Sequence, residues 1–466
     1  MLSNPQDCER IARHHIKKQP NFSTQFFESV ISTTDDAHWK KQRAHLVEAF
    51  LPASSLKQIF PISLSRAERC AARLRKIASE SPGGVQMHDF FLHEAQAQLQ
   101  LGLFGMDEEY MESTNEPLRN AFAGINPDPD FLKNCALEMM DKCAADPDFA
   151  TAMDVMEGRS GSKGVFGPLS QAVATSGEDF RTMYGNMMII LFAGHDTTGH
   201  TMTWLTYELA RRPDYQKRLQ AEVDELFDDL EKEGRSMSYP DDMVRMPFLT
   251  RCIMETLRKW VIVPNGTFRQ LAYDEYVAAP ADVGDERSVL VPKGTFVQVQ
   301  AWTRHRNPKL WGDDVNEFNP DRKFEGTELW DNQPFAAYNP ATPRFSPFSF
   351  QPRDCLGKNF AQMEMRTILP QMFRHFDFTL TKEYANLSPA RESADSTTVL
   401  RSSNTDPLPT NIDVYGGTMG PRDLSPEAIA NAEERLAAGS RPKLGMWLHA
   451  TPRTPPPTRT RTQSRL

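Results

Sequence analysis

Cysteine is scarce in this chain. Its six cysteines, Cys8, Cys70, Cys135, Cys143, Cys252 and Cys355, are spread over 466 residues with no C-x-x-C pair, which argues against a disulfide framework or a zinc ribbon. Long apolar runs are also missing. The opening MLSNPQDCERIARHHIKKQPNF is polar, and the longest apolar stretches, such as MMIILFAG, fall well short of the ~18 residues that cross a bilayer, so the sequence predicts neither a membrane anchor nor a signal. An excess of basic charge is absent too. With 53 basic and 62 acidic residues the net charge is -9, which disfavours nucleic acid as a whole-molecule partner. No repeat of about 20 to 50 residues is visible. What is present, 39% hydrophobic residues in a 52.9 kDa chain, is enough to bury a large core.

From Ile11 to about Met156 apolar residues recur three or four apart, as in WKKQRAHLVEAF and FLHEAQAQLQLGLFG, which predicts an all-α half. A segment rich in Gly and Ser (Gly158 to Ser176) leads into a stretch with acids at its start, two arginines at its end and Pro213 beyond. Those start and stop signals predict one helix from Glu178 to Arg212, on the order of 50 Å long and able to act as a spine. Short β-type runs fill Val261 to Gln300, another helix is expected from Gly357 to His375, and a strand at KLGMWLHATPR. The fold class is mainly α with small β-sheets. Residues 384–440 read as an insertion with one helix at SPEAIANAEERLAA, and 454–466 as a disordered Pro/Arg-rich tail.

Chemistry concentrates first in PFSFQPRDCLGKNFAQMEMR. Phe348 stands seven residues before Cys355, Arg353 two before and Gly357 two after, where a helix begins. A cysteine taken alone reads as a small core residue. Beside an arginine and at a helix N-terminus, its thiolate is favoured by positive charge and backbone N–H groups, which suits a metal ligand or a nucleophile. The second concentration is AGHDTT in the middle of the spine. Gly194 and Gly199 each cost roughly 1 kcal/mol relative to Ala there. They serve either close approach by a flat cofactor or substrate, or a helix-packing notch. Thr197 can bond a carbonyl one turn back.

The cysteine segment resembles the ligand loop of the cytochrome P450 family, Phe-x-x-Gly-x-Arg-x-Cys-x-Gly. That resemblance implies a cytochrome P450-like fold over 1–453, with haem (iron protoporphyrin IX) as cofactor and Cys355 as the axial thiolate and metal ligand. Arg353, Phe348 and Gly357 would surround the haem, Arg353 pairing with a propionate. The loop departs from the family in carrying Gln351 where glycine is usual, which predicts either a different backbone or a positive φ there. AGHDTT matches the oxygen-activating segment, with Thr197 and Asp196 as catalytic groups for proton delivery and Ala193 and Gly194 against the haem. His195 falls in its variable slot and reads as structural or pocket-lining.

METLRKW and FNPDRKF match the family's Glu-x-x-Arg helix and its partner segment, so Glu255, Arg258 and Arg322 are expected as a buried structural cluster that fixes the cysteine loop. HWKKQRAHLVEAF matches the Trp-x-x-x-Arg helix, with Trp39 and Arg43 at a propionate. Arg269 and His305 fall where further propionate contacts occur. Only 38 residues precede Trp39, fewer than the family normally has, which predicts an incomplete, shortened N-terminal lobe.

The function implied is a monooxygenase that inserts one oxygen atom from O2 into a lipophilic small-molecule substrate, with electrons from a donor such as NADPH-cytochrome P450 reductase and no role for nucleic acid. Lys40, Lys41 and Lys358 are candidates for the docking patch. The resemblance suggests the cytosolic face of the endoplasmic reticulum for a full-length form. Two other readings stand beside it: a haem-thiolate isomerase or dehydratase, and a truncated, non-catalytic haem-binding relative.

Overall fold

A computed structural model describes residues 2, 4–18, 26–51, 55–122, 130–144, 167–278, 288–329, 340–382, 412–413, 441–442 and 446–454. The expected tail and nearly all of the expected insertion, including its helix, lie outside the described residues. The exception is a short antiparallel pairing of Ile412–Asp413 with Arg441–Pro442.

The N-terminal half is helical as its periodicity predicts: α1 (Pro5–His14), α2 (Asp36–Leu46), α3 (Lys57–Glu80), α4 (Met87–Gln98), α5 (Glu108–Phe122) and α6 (Phe131–Ala144). Asp35 starts α2 by accepting from the N–H groups of Ala37 and His38, and those two bonds hold its carboxyl below the usual range. A short helix, α7 (Pro168–Ala174), lies inside the segment read as Gly/Ser-rich. Pro168 begins it, and its buried Leu169 and Val173 join the main core.

The spine is α8 (Phe180–Ala210), 31 unbroken residues or about 46 Å. Asp179 caps it by accepting from Thr182 N, and Pro213 lies beyond its end, opening α9 (Pro213–Glu233). Helix α4 crosses it closely, and α10 (Pro247–Lys259) stacks Trp260 on Trp204 with ring centroids 4.1 Å apart. Beyond α10 come β1 (Thr267–Gln270), β2 (Glu275–Ala278), β3 (Ser288–Val291) and β4 (Phe296–Val299), paired as two antiparallel ribbons, β1 with β4 and β2 with β3.

Short helices α11 (Trp302–His305) and α12 (Pro308–Trp311) precede the cysteine loop. Helix α13 (Lys358–His375) follows it and packs against α3, α8 and α9. A three-stranded antiparallel sheet closes the far end. In it Trp447–Pro452 pairs on one side with Phe376–Leu380 and on the other with Val85–Gln86. The expected C-terminal strand is therefore central; Val85–Gln86 is too short to show alternation, whereas Phe376–Leu380 alternates directly after α13 and was not predicted.

Candidate haem site

The cysteine loop is built by backbone bonds. Cys355 N–H donates to Phe348 O at 2.9 Å, and Ser349 N–H to Ser346 O at 3.0 Å. The one left-handed residue of the loop is Ser349, with φ 64°. Gln351 does not take positive φ, so the chain answers the missing glycine with a different backbone and puts the unusual conformation two residues earlier. Gly357 stands at the start of α13 with φ −85°, and its N–H donates to the Cys355 thiol.

Cys355 is exposed as a residue although protein atoms crowd its thiol. Burial pushes its thiol up, while Lys358, the Gly357 N–H and Arg43 pull the other way without overcoming it. This corrects the expectation of a thiolate held by Arg353. The Arg353 guanidinium stacks on the Trp39 ring, 4.2 Å from its centroid, and is not among the charges acting on the sulfur. A bound metal ion, not the protein alone, is what would take the proton from this thiol.

Arg43 and Lys358 both grip Asp354, the neighbour of Cys355. Arg43 donates to Asp354 O at 2.9 Å and to its carboxylate, and Lys358 Nζ sits 3.0 Å from Asp354 Oδ2. The second residue of the Trp-x-x-x-Arg pair thus braces the cysteine loop, a contact the sequence spacing did not predict. Lys41 also has a partner, Glu178 at 2.7 Å. Of the three lysines named for docking, two are engaged in ion pairs and Lys40 is exposed.

Beside Trp39 the structure gathers positive charge. Arg353 is buried, all three of its guanidinium nitrogens lack a hydrogen-bond partner among the described residues, and Asp36 approaches only to 3.6 Å. Arg269 is fully buried, with Nη1 bonded to Phe268 O and Thr267 Oγ1 but with Nε and Nη2 unpartnered among the described residues. Burial and the charge of Arg353 pull Arg269 down to about 9. Burial and Arg43 pull Arg353 down to about 10 against the opposing effect of Asp36. Lys18, which sequence reasoning missed, belongs here as well. Burial and then Arg269, Arg353 and Arg43 push its ammonium well below the usual range. Its only sequence signal was a lysine pair in a polar segment. Buried cations in this arrangement are costly without anions.

His305 stands apart from that cluster. Its Nε2 accepts from Ser346 N–H at 3.1 Å, its ring packs on Phe345 and its carbonyl accepts from Arg258. Burial and Arg304 hold it neutral. It links α10 to the cysteine loop, its carbonyl taking Arg258 and its Nε2 holding Ser346 N–H. The charge cluster meets on the other side of this link. Arg258 grips both Glu255 oxygens at 2.7 Å, Arg322 Nε reaches Glu255 at 3.2 Å, and both arginines donate to carbonyls of the 311–317 segment. A second pair, Arg344 with Glu328, lies beside it and was not foreseen.

On the spine, Thr197 Oγ donates to Ala193 O at 2.8 Å without breaking the helix. Ala193, Gly194 and Thr197 are partly accessible in a helix otherwise buried around them, which marks one strip facing internal space. The glycines are packing notches. A Cβ on Gly199 would lie 3.0 Å from Leu92 Cα and 3.1 Å from Leu92 N, and one on Gly194 would lie 2.7 Å from a methyl of Leu99. The side of Gly194 that a Cβ would fill is thus taken by a leucine, not by a flat cofactor. Asp196 is buried with Oδ2 unpartnered among the described residues. His195 donates from Nδ1 to Leu191 O at 2.7 Å and packs on Phe122 and Phe192, a structural role.

A family model described as cytochrome P450 matches residues 175–404. That span holds Thr197, Glu255, Arg322 and Cys355. The human protein named cytochrome P450 4F12 is 35% identical over 205 residues, 44% of this chain and 34% of that protein. The cytokinin hydroxylase of Arabidopsis thaliana is 34% identical over 197 residues, 41% of this chain and 32% of that protein. A putative cytochrome P450, CYP13A7, of Caenorhabditis elegans is 31% identical over 204 residues, 44% and 35% of the two chains. Residues 175–404 carry a cytochrome P450 domain. The matched segments cover about a third of the length of these relatives.

Haem is the cofactor of the cytochromes P450, and the residues present fit it. Unpartnered buried guanidinium nitrogens of Arg353 and Arg269 with Lys18 nearby suit a pair of propionates, and an exposed cysteine at a helix N-terminus suits iron. No helix among the described residues is long and apolar enough to cross a membrane.

Proposed function

We propose that this chain carries a haem-thiolate monooxygenase site that inserts one oxygen atom of O2 into a lipophilic substrate, with electrons supplied by a redox partner such as NADPH-cytochrome P450 reductase. The observation that carries this reading is the set of buried, unpartnered guanidinium nitrogens of Arg353 and Arg269, with Lys18 close to both, beside a braced cysteine loop. Haem, when bound, supplies oxygen activation.

The protein's part is positional. Cys355 is the iron ligand, held by Phe348 O, the Gly357 N–H and the Arg43–Asp354–Lys358 brace. Arg353, Arg269 and Lys18 take the propionates, and Trp39 keeps the Arg353 guanidinium flat. Glu255, Arg258 and Arg322 set the loop through His305 and Ser346. Asp196 and Thr197 hold and pass the protons that oxygen reduction consumes. That pair favours oxygen chemistry over rearrangement of a peroxide. For a full-length form the reading places the encounter with the reductase at the cytosolic face of the endoplasmic reticulum.

The test is the ferrous–CO spectrum. The haem-loaded chain gives the strongly red-shifted band of a thiolate ligand, and Cys355→Ser loses it while keeping its far-UV helical signal. The same band in the variant would remove Cys355 from the iron.

A further inference from the structure

Resting on the monooxygenase reading, we propose that His88 and His200 form a proton relay that supplies Asp196 from the protein surface. His200 lies one turn after Asp196 on α8. Its Nδ1 is 2.6 Å from the Asp196 carbonyl oxygen and 3.5 Å from Oδ1 of the same residue. A carbonyl only accepts, so Nδ1 carries the proton and the neutral ring presents a lone pair at Nε2. That nitrogen faces Nε2 of His88 at 2.9 Å, which makes His88 the donor. The rings are 4.9 Å apart at their centroids.

His88 stands in the first turn of α4, where its side chain is 15% exposed beside the 63% exposed Asp89. At the inner end, Oδ2 of Asp196 has no hydrogen-bond partner among the described residues. The two rings therefore join solvent to a buried carboxylate that the proposed reaction must reprotonate at every turnover.

The transfer balances. His88 takes a proton from water at Nδ1 and becomes a cation, and its Nε2 proton crosses to His200 Nε2. His200 then gives its Nδ1 proton to the Asp196 carboxylate. One proton has moved and both rings are neutral again, in exchanged tautomers. Before the next transfer each ring returns to its first tautomer by exchange with water, gaining a proton at one nitrogen and losing one at the other. Imidazole suits this because its ordinary pKa of about 6.5 lets it load and unload near neutral pH. Among the described residues the charged and titratable groups around the path are Asp196 and the neutral His195 on α8, Asp89 on α4, and Arg119 and Glu116 on α5. Arg119 sits 3.8 Å from Asp89 and acts on His195 as well, and Glu116 acts on Asp89. Carboxylates at both ends favour a proton on the pair.

A purely structural pair would clamp α4 to α8 without titrating, and His88→Gln separates the two. Glutamine keeps an amide donor opposite His200 but carries no transferable charge. With haem loaded and helical signal unchanged, His88→Gln should divert about threefold or more of the electrons into peroxide. A second readout does not need haem. In protein with 15N-labelled histidine, the proton shared by the two rings should titrate between about pH 5 and 8, and Asp196→Asn should lower its midpoint by about half a unit or more. A pair that does not titrate, or a His88→Gln variant coupled as tightly as the parent, overturns the relay. Absence of the thiolate CO band in the parent overturns the monooxygenase reading alone, and the histidine titration then still decides the relay.

Discussion

At the scale of single residues, environment decides between roles that the same letters allow. His195 sits beside the proposed proton-delivery pair in sequence, yet burial holds its imidazole down to about 4. The unfolded chain protonates it near its ordinary pKa of about 6.5, so below that pH the unfolded state binds more protons than the folded state. Stability therefore falls as pH drops from about 6.5 to 4, by an amount on the order of 3 kcal/mol for this group. Urea unfolding across that range should show the loss, and His195→Gln should flatten the slope while lowering stability near neutral pH. The cysteine loop gives a second case. The left-handed φ is at Ser349 and not at Gln351. Ser349→Gly should be neutral or stabilising, because it relieves a conformation costing roughly 1–2 kcal/mol. Gln351→Gly should lose about 0.5–1 kcal/mol to chain entropy, and thermal denaturation of the two variants tests the order.

At the scale of elements, the crossing of α4 over α8 rests on Gly199. Alanine there presses on the Leu92 backbone, which cannot turn aside, whereas alanine at Gly194 presses on the end of the Leu99 side chain, which can. Gly199→Ala should cost about 1–3 kcal/mol and Gly194→Ala less, read as unfolding midpoints. Gly199→Ala should also disturb the His88–His200 contact, since His88 lies one turn before Leu92 on α4. The helices themselves were legible because apolar spacing, caps and Pro213 are local signals. Helix α7 was hidden by the Gly/Ser content before it, and the strands Val85–Gln86 and Phe376–Leu380 exist through a partner far along the chain.

Over the whole molecule, the proposed haem-binding cations should trade stability for cofactor binding. Arg269 and Arg353 are costly in the haem-free protein because their nitrogens lack acceptors. Arg269→Met should raise haem-free stability by about 1–3 kcal/mol and weaken haem retention. Denaturation of the haem-free protein and transfer of haem to a competing acceptor measure the two effects, and the same sign for both would refute the trade. Arg322→Met should do the opposite to stability, costing about 3–5 kcal/mol, because it leaves Glu255 and Asp314 short of a buried partner.

The sequence by itself determined the helical order and the resemblance to the cytochromes P450, and it picked out the candidate site residues, since a cysteine loop, a Glu-x-x-Arg helix and an acid–alcohol pair are written in short spacings. It could not say what each side chain would meet. Only tertiary packing placed Arg43 on Asp354, His305 on Ser346 and Lys18 among the arginines. It also turned the spine glycines toward leucines and brought His88 within 2.9 Å of a histidine 112 positions away. Local spacing encodes a helix and the face a residue occupies. Desolvation and charge pairing depend on what folds against that face, and those contacts come from distant parts of the chain.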